Sequence, residues 1–221
     1  MLDRPGQAEQ QLFSLLRARD WTRALAWLKA QRPDLNRADD AGDTPLTMAV
    51  RSGSIELVRE MLAQGAELDR IGAGGMTPLG VAAFEGQELA ARDLLRKGAR
   101  QDVPGLTGQS PLHLACATGQ VRMVEMLLKA GADWRQPNRQ GRHAMAEAAY
   151  FGQLGVVRKL QSVGVPLDAP DAHQLNALHA AAFGEQRAAV AWLQAQGVPV
   201  TSALTQVLID QLNEKPDSIA P

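Results

Sequence analysis

His113 and Cys116 stand three residues apart in the segment GQSPLHLACATG, which runs from Gly108 to Gly119, and Cys116 is the only cysteine of the chain. On a helix, residues three apart share a face. The pair therefore has the spacing of a thiolate–imidazole couple or of two metal ligands. Either chemistry needs more than two residues. A thiol nucleophile requires a base that is itself oriented by a third group, and none lies nearby in sequence. A zinc site requires further Cys or His ligands, and the chain has only four histidines besides this one cysteine. His143 and His173 fall in other segments. Neither a Gly-rich phosphate loop nor a nucleophile elbow occurs. The expectation is a non-enzymatic protein with no metal and no cofactor. A hydrolase built on His113 and Cys116 is the catalytic alternative.

The segment is one of a series. Gly65, Gly98, Gly131, Gly164 and Gly197 are each 33 residues apart. In step with them run DTPLTMAV from Asp43, MTPLGVAA from Met76, QSPLHLAC from Gln109, RHAMAEAA from Arg142 and LNALHAAA from Leu175. A third series is Gly53, Gly86, Gly119 and Gly152; in the fifth copy Gly184 comes one residue early and Glu185 takes the slot. Each copy reads alike. Thr or Ser before Pro, kept in Thr44-Pro45, Thr77-Pro78 and Ser110-Pro111, is an N-cap with Pro at the first helical position. A short Ala/Leu helix follows and stops at the glycine. A second helix then carries apolar residues at helical spacing, and its closing Gly leads into a polar loop. A unit this short must stack on its neighbours to bury its apolar faces, which predicts a solenoid.

The pattern resembles the ankyrin repeat, most closely in TPLTMAVRSGSIELVREMLAQGAELD (Thr44–Asp69) and SPLHLACATGQVRMVEMLLKAGAD (Ser110–Asp133). The resemblance implies an all-α solenoid of paired antiparallel helices with extended β-hairpin-like loops. It covers 39–203 as five repeats. Residues 1–38 look like a divergent N-terminal capping repeat, and 204–221 like a C-terminal capping helix with a frayed tail, all in one continuous domain. Cys116 falls in the column Val50, Ala83, Cys116, Ala149, Ala182. Free cysteine behaves as a small hydrophobe when buried, so it reads as core. His113 and His179 share a column, and the resemblance implies that this histidine braces the loop beside the cap by a local hydrogen bond.

The resemblance also implies where a partner protein would bind: the first helices and the loop tips. The two residues before the mid-repeat glycine are Arg51-Ser52, Phe84-Glu85, Ala117-Thr118, Tyr150-Phe151 and Phe183-Gly184. Exposed aromatic residues are the usual anchors of protein interfaces. The candidate contacts are therefore Arg51, Phe84, Glu85, Thr118, Tyr150, Phe151 and Phe183. The loop tips add Asp40 and Asp43 from DDAGD, Met76 from GAGGM, and Arg139 and Arg142 from NRQGR. This row runs from acidic to basic, a polarity that would orient a partner. The fourth copy departs from the pattern: His143 replaces the capping Thr or Ser, Ala144 replaces Pro, and Glu147 replaces the apolar residues of its column, Met48, Val81, Leu114 and Ala180. His143 and Glu147 are four apart, so the expectation is that they pair.

Composition narrows the function class. The 221 residues carry 23 basic and 24 acidic side chains, and 45% are hydrophobic. A nearly neutral chain argues against capture of nucleic acid or an anionic membrane. The polar N-terminus lacks the apolar core of a secretory signal. A single cysteine fits a reducing compartment. Arginine outnumbers lysine, as in GC-rich bacterial genomes. The reading is a cytoplasmic, bacterial protein, monomeric when alone, that binds a partner protein. It would serve as an inhibitor or immunity-type protein for a toxin or effector; a scaffold for an enzyme is the alternative.

Overall fold

A computed structural model describes residues 6–214. The expected fraying at 216–221 lies outside the described residues. Within them the chain forms thirteen α-helices and no strand. A first pair, α1 (Gln7–Arg17) and α2 (Trp21–Gln31), precedes five further pairs. These are α3 (Pro45–Ser52) with α4 (Ile55–Ala63), α5 (Pro78–Glu85) with α6 (Glu88–Arg96), α7 (Pro111–Ala117) with α8 (Val121–Lys129), α9 (Ala144–Tyr150) with α10 (Leu154–Ser162), and α11 (Ala177–Phe183) with α12 (Arg187–Ala195). The last helix, α13 (Ala203–Glu214), packs on α11. Backbone contacts divide the chain into two compact units, Met1–Pro111 with Lys129–Ala132, and Leu112–Leu128 with Asp133–Pro221.

The period fixes what is buried. Leu46, Leu79, Leu112, Met145 and Leu178 occupy one column, and all are buried. So are Ala49, Ala82, Ala115, Ala148 and Ala181 one turn on. The second helices contribute Met61, Leu94, Leu127, Leu160 and Leu193, again fully buried. Burying one such side chain stabilises by about 1.5–3 kcal/mol.

Side chains cap the helices and, in the first unit, join neighbouring copies. Thr44 and Thr77 accept at their hydroxyls from the amides of Thr47 and Gly80, the N-cap geometry expected of Thr before Pro. Asn36 Oδ1 accepts from Glu67 N at 2.8 Å and, one repeat on, Asp69 Oδ1 accepts from Arg100 N at 3.0 Å. The loops are tight turns of one design. In each, the amide of the first residue donates to the carbonyl four residues on, from Asp39, Gly72, Gly105, Asn138 and Asp171. Asp39, Asn138 and Asp171 also turn their own side-chain oxygen onto two following amides.

The fifth mid-repeat turn explains its misplaced glycine. A Cβ on Gly184 would collide with the carbonyl oxygen of Tyr150, so that position admits no side chain. The left-handed conformation falls instead on Glu185, with φ +58°.

Candidate functional site

In the second unit, the fourth and fifth first helices present a cluster of aromatic residues. Tyr150 ends α9 and Phe151 caps it; Phe183 ends α11. The Tyr150 ring meets Phe151 edge-on, with centroids 5.0 Å apart, and lies 6.1 Å from Phe183. Phe183 stacks on His179. Phe151 and Phe183 remain 42% and 58% exposed, whereas Tyr150 is half-buried. Apolar rings of this size on the surface carry an unrealised burial energy, which is why such residues anchor interfaces.

Arg142 stabilises the edge of this cluster. Its guanidinium carbon lies 4.1 Å from the Tyr150 ring centroid, within cation–π range. The same group donates from Nε to Glu147 Oε2 at 2.7 Å. Asn138 Nδ2 donates to that oxygen as well, at 3.0 Å. The fully buried Glu147 is therefore paired and hydrogen-bonded, the condition under which a buried carboxylate is tolerated. Its cationic partner is Arg142, not His143 as the helical spacing suggested. The His143 ring is already engaged at both nitrogens: Nδ1 accepts from Ala146 N at 3.3 Å as an N-cap, and Nε2 donates to the Ala169 carbonyl at 3.1 Å. Histidine thus caps α9 in place of Thr or Ser.

Arg139 is exposed beside this region and has no carboxylate partner among the described residues. Thr118, half-buried, turns its hydroxyl back onto the Leu114 carbonyl at 2.8 Å. In the first unit, Phe84 is 43% exposed at the same register as Tyr150, with Glu85 exposed next to it. Met76 is half-buried and Asp40 exposed. Arg51 is exposed but holds Asp43 at 2.8 Å.

The acidic loop tip differs from the sequence expectation. Asp43 is buried; it accepts from Arg51, from Thr47 Oγ1 and from the Ala73 amide of the next loop. Asp39 is buried too, bonded to its own turn and to Arg17 at 2.6 Å. Of the three carboxylates only Asp40 faces solvent. A turn rich in Asp looks solvated in sequence because the groups that absorb its charge, Arg17 and the Ala73 amide, lie in neighbouring copies.

His113 and Cys116 do not form a reactive couple. Cys116 is fully buried, and burial pushes its thiol pKa well above the ordinary range, the reverse of what a nucleophile needs. The His113 ring is also buried and points at the following loop, donating from Nε2 to the Arg142 carbonyl at 3.1 Å. Its bond spans 29 residues and so braces the next copy rather than its own. Burial lowers its proton affinity. Among the described residues no group of three His, Cys, Asp or Glu side chains could hold a metal ion, and no helix is long and apolar enough to cross a membrane.

A column of glutamines went unread in the sequence. Gln87, Gln120, Gln153 and Gln186 are 33 residues apart. Gln153 Nε2 donates to the Ala117 carbonyl at the end of the preceding first helix, at 3.1 Å. Gln87 and Gln186 lie against Gly53 and Gly152 as Gln153 lies against Gly119, and Gln186 Nε2 donates to the Gly184 carbonyl of its own copy at 2.6 Å.

A family model described as ankyrin repeats in three copies matches at residues 18–104, 67–138, 93–171 and 112–203, together spanning 18–203. No curated protein matches the chain.

Proposed function

Because the chain belongs to the ankyrin-repeat family, whose repeats serve as protein–protein interaction modules, we propose that it captures a partner protein on the exposed face of its first helices. The observation that carries this reading is the aromatic cluster of the second unit, where Phe151 and Phe183 stay on the surface beside Tyr150, whose ring Arg142 covers. Phe84 adds an anchor at the same register in the first unit. Arg139 and Glu85 are charges at the rim, where they steer encounter more than they add affinity. Residues already committed inside the fold, Asp43 and Arg142, act by positioning their neighbours rather than by reaching a partner.

The test compares wild type with a Phe84→Ala, Phe151→Ala, Phe183→Ala variant as baits in affinity capture from the native host. The partner recovered with wild type should be lost with the variant, while the thermal midpoints stay within a few degrees of each other. Equal recovery would place the interface elsewhere. If the captured partner is a toxin or enzyme, an activity assay with and without this protein separates an inhibitor of the immunity type, which silences it, from a scaffold, which does not.

A further inference from the structure

Where α1, the α1–α2 turn and α3 meet, the first unit has a cleft of about 310 Å³. Leu16, Trp21 and Met48 supply its apolar surface, and three arginines, Arg17, Arg19 and Arg51, surround them. We propose that this cleft recognises an acidic side chain flanked by an aromatic one on a protein partner. The inference rests on the protein-binding reading above and specifies the chemistry of one of its contacts.

The charge count favours a single carboxylate. Arg17 is held by Asp39 at 2.6 Å and Arg51 by Asp43 at 2.8 Å. Both carboxylates are buried and further bonded to turn amides, so neither can swing away to neutralise a third cation. Arg19 is exposed and has no carboxylate partner among the described residues. Three cations and two anions leave one positive charge at the cleft. Arg17 and Arg51 keep side-chain exposures of 54% and 39%. A guanidinium has five N–H donors, so each retains donors after its ion pair is made. An incoming carboxylate would therefore meet Arg19 as its counter-ion and the two fixed guanidiniums as hydrogen-bond donors.

The apolar half of the cleft selects what accompanies that carboxylate. Trp21 and Met48 are both half-buried, which leaves part of each open to a ligand. Indole offers a flat face for another ring. Methionine is flexible and polarisable enough to follow the ligand's shape. Arginines lining one cleft with an indole and a thioether suit a segment in which Glu or Asp adjoins Phe, Tyr or Trp.

The backbone of Arg19 supplies a clean variant. Its φ is +56°, a left-handed conformation that glycine adopts without cost and that other L-residues resist. Turns after α3 and α5 use Gly53 and Gly86 for this conformation. Arg19→Gly thus removes the unpaired cation while easing the turn.

The probe is N-acetyl-Glu-Phe-amide, titrated to millimolar concentration while the Trp21 indole N–H is followed by NMR. Its Gln-Phe amide counterpart and N-acetyl-Gln-Phe with a free C-terminal carboxylate serve as comparisons. The Glu-Phe amide should give a saturable shift at Trp21, with the Gln-Phe amide binding about tenfold more weakly, as for a lost charge-assisted hydrogen bond. Arg19→Gly should weaken the Glu-Phe amide to a similar extent with a thermal midpoint no lower than wild type. Arg19→Gln provides the same loss without altering the turn. No saturable shift at Trp21, equal binding of the two amides, or unchanged binding in both Arg19 variants would overturn the proposal. Binding of the free acid alone would overturn its assignment to an acidic side chain. These titrations use no captured partner, so failure of the aromatic-cluster experiment is distinguishable from failure here.

Discussion

Arg142 meets Glu147 at 2.7 Å, and the carboxylate it meets is wholly shielded from solvent. Removing one member of a buried pair leaves the other charge uncompensated, a loss of about 3–5 kcal/mol. Arg142→Ala should cost that much in urea denaturation, and the Tyr150 ring should lose its cover as well. Replacing both partners is different in kind. Met48, Val81, Leu114 and Ala180 fill the Glu147 column in other copies, so Arg142→Ala with Glu147→Leu should recover most of the stability. A double variant no better than Arg142→Ala would show that the ion pair does not dominate this site.

The same residue shows how far sequence reading reaches. The repeat made Glu147 conspicuous, because four apolar columnmates define the position as inward-facing. Its partner stayed hidden. Helical spacing proposes His143, four residues away, but the histidine is consumed by capping α9, and Arg142 reaches in from the loop before the helix. Columns that face the core were legible because the 33-residue period alone decides which side is buried. Bonds between copies were not, and Asp39, Asp43, His113 and Gln153 all act across that boundary. A charge in a loop reads as solvated until the neighbouring repeat that neutralises it is in place.

Two positions in the fifth copy test the turn argument in opposite directions. Gln174 takes φ +60° where Gly42, Gly75, Gly108 and Gly141 stand in other copies. A non-glycine residue there costs about 1–2 kcal/mol of backbone strain, partly offset by the larger unfolded-state entropy of glycine. Gln174→Gly should therefore raise stability by about 0.5 kcal/mol. Gly184→Ala should lower it by 2 kcal/mol or more, on the order of an overpacked core position, because the methyl group meets the Tyr150 carbonyl. Thermal denaturation of the two single variants decides the matter; a harmless Gly184→Ala would mean that the helices can part there.

Stability should fall as pH drops below neutrality. Burial lowers the proton affinity of His113 and His143 from the ordinary 6.5. Between that value and the lower folded one, the unfolded chain binds more protons than the folded chain. Stability is then complete above about pH 6.5 and is lost as the pH falls through the window. His143→Asn isolates one contributor. Asn176 already performs both tasks one repeat on, accepting from His179 N and donating to the Pro199 carbonyl. The variant should keep the cap and lose less stability than wild type between pH 7.5 and 5.5 in urea titrations. Identical losses would assign the pH dependence to other groups.

Cys116 gives the sharpest test of whether this chain uses covalent chemistry. Thiolates react, thiols do not, and a reactive cysteine is exposed with a depressed pKa. Cys116 has the opposite of both properties, and Glu147 adds a smaller push in the same direction as burial. Alkylation by iodoacetamide should accordingly proceed only through opening of the fold, orders of magnitude more slowly than in urea-unfolded protein. Cys116→Ala then asks what the side chain contributes. Ala83, Ala149 and Ala182 occupy the slot in other copies, so the loss should be about 1 kcal/mol, the scale of one deleted buried group. Partner capture should be untouched. Rapid alkylation of the native protein, faster than that of a free thiol, would revive the hydrolase reading and with it a role for His113 beyond bracing the Arg142 loop.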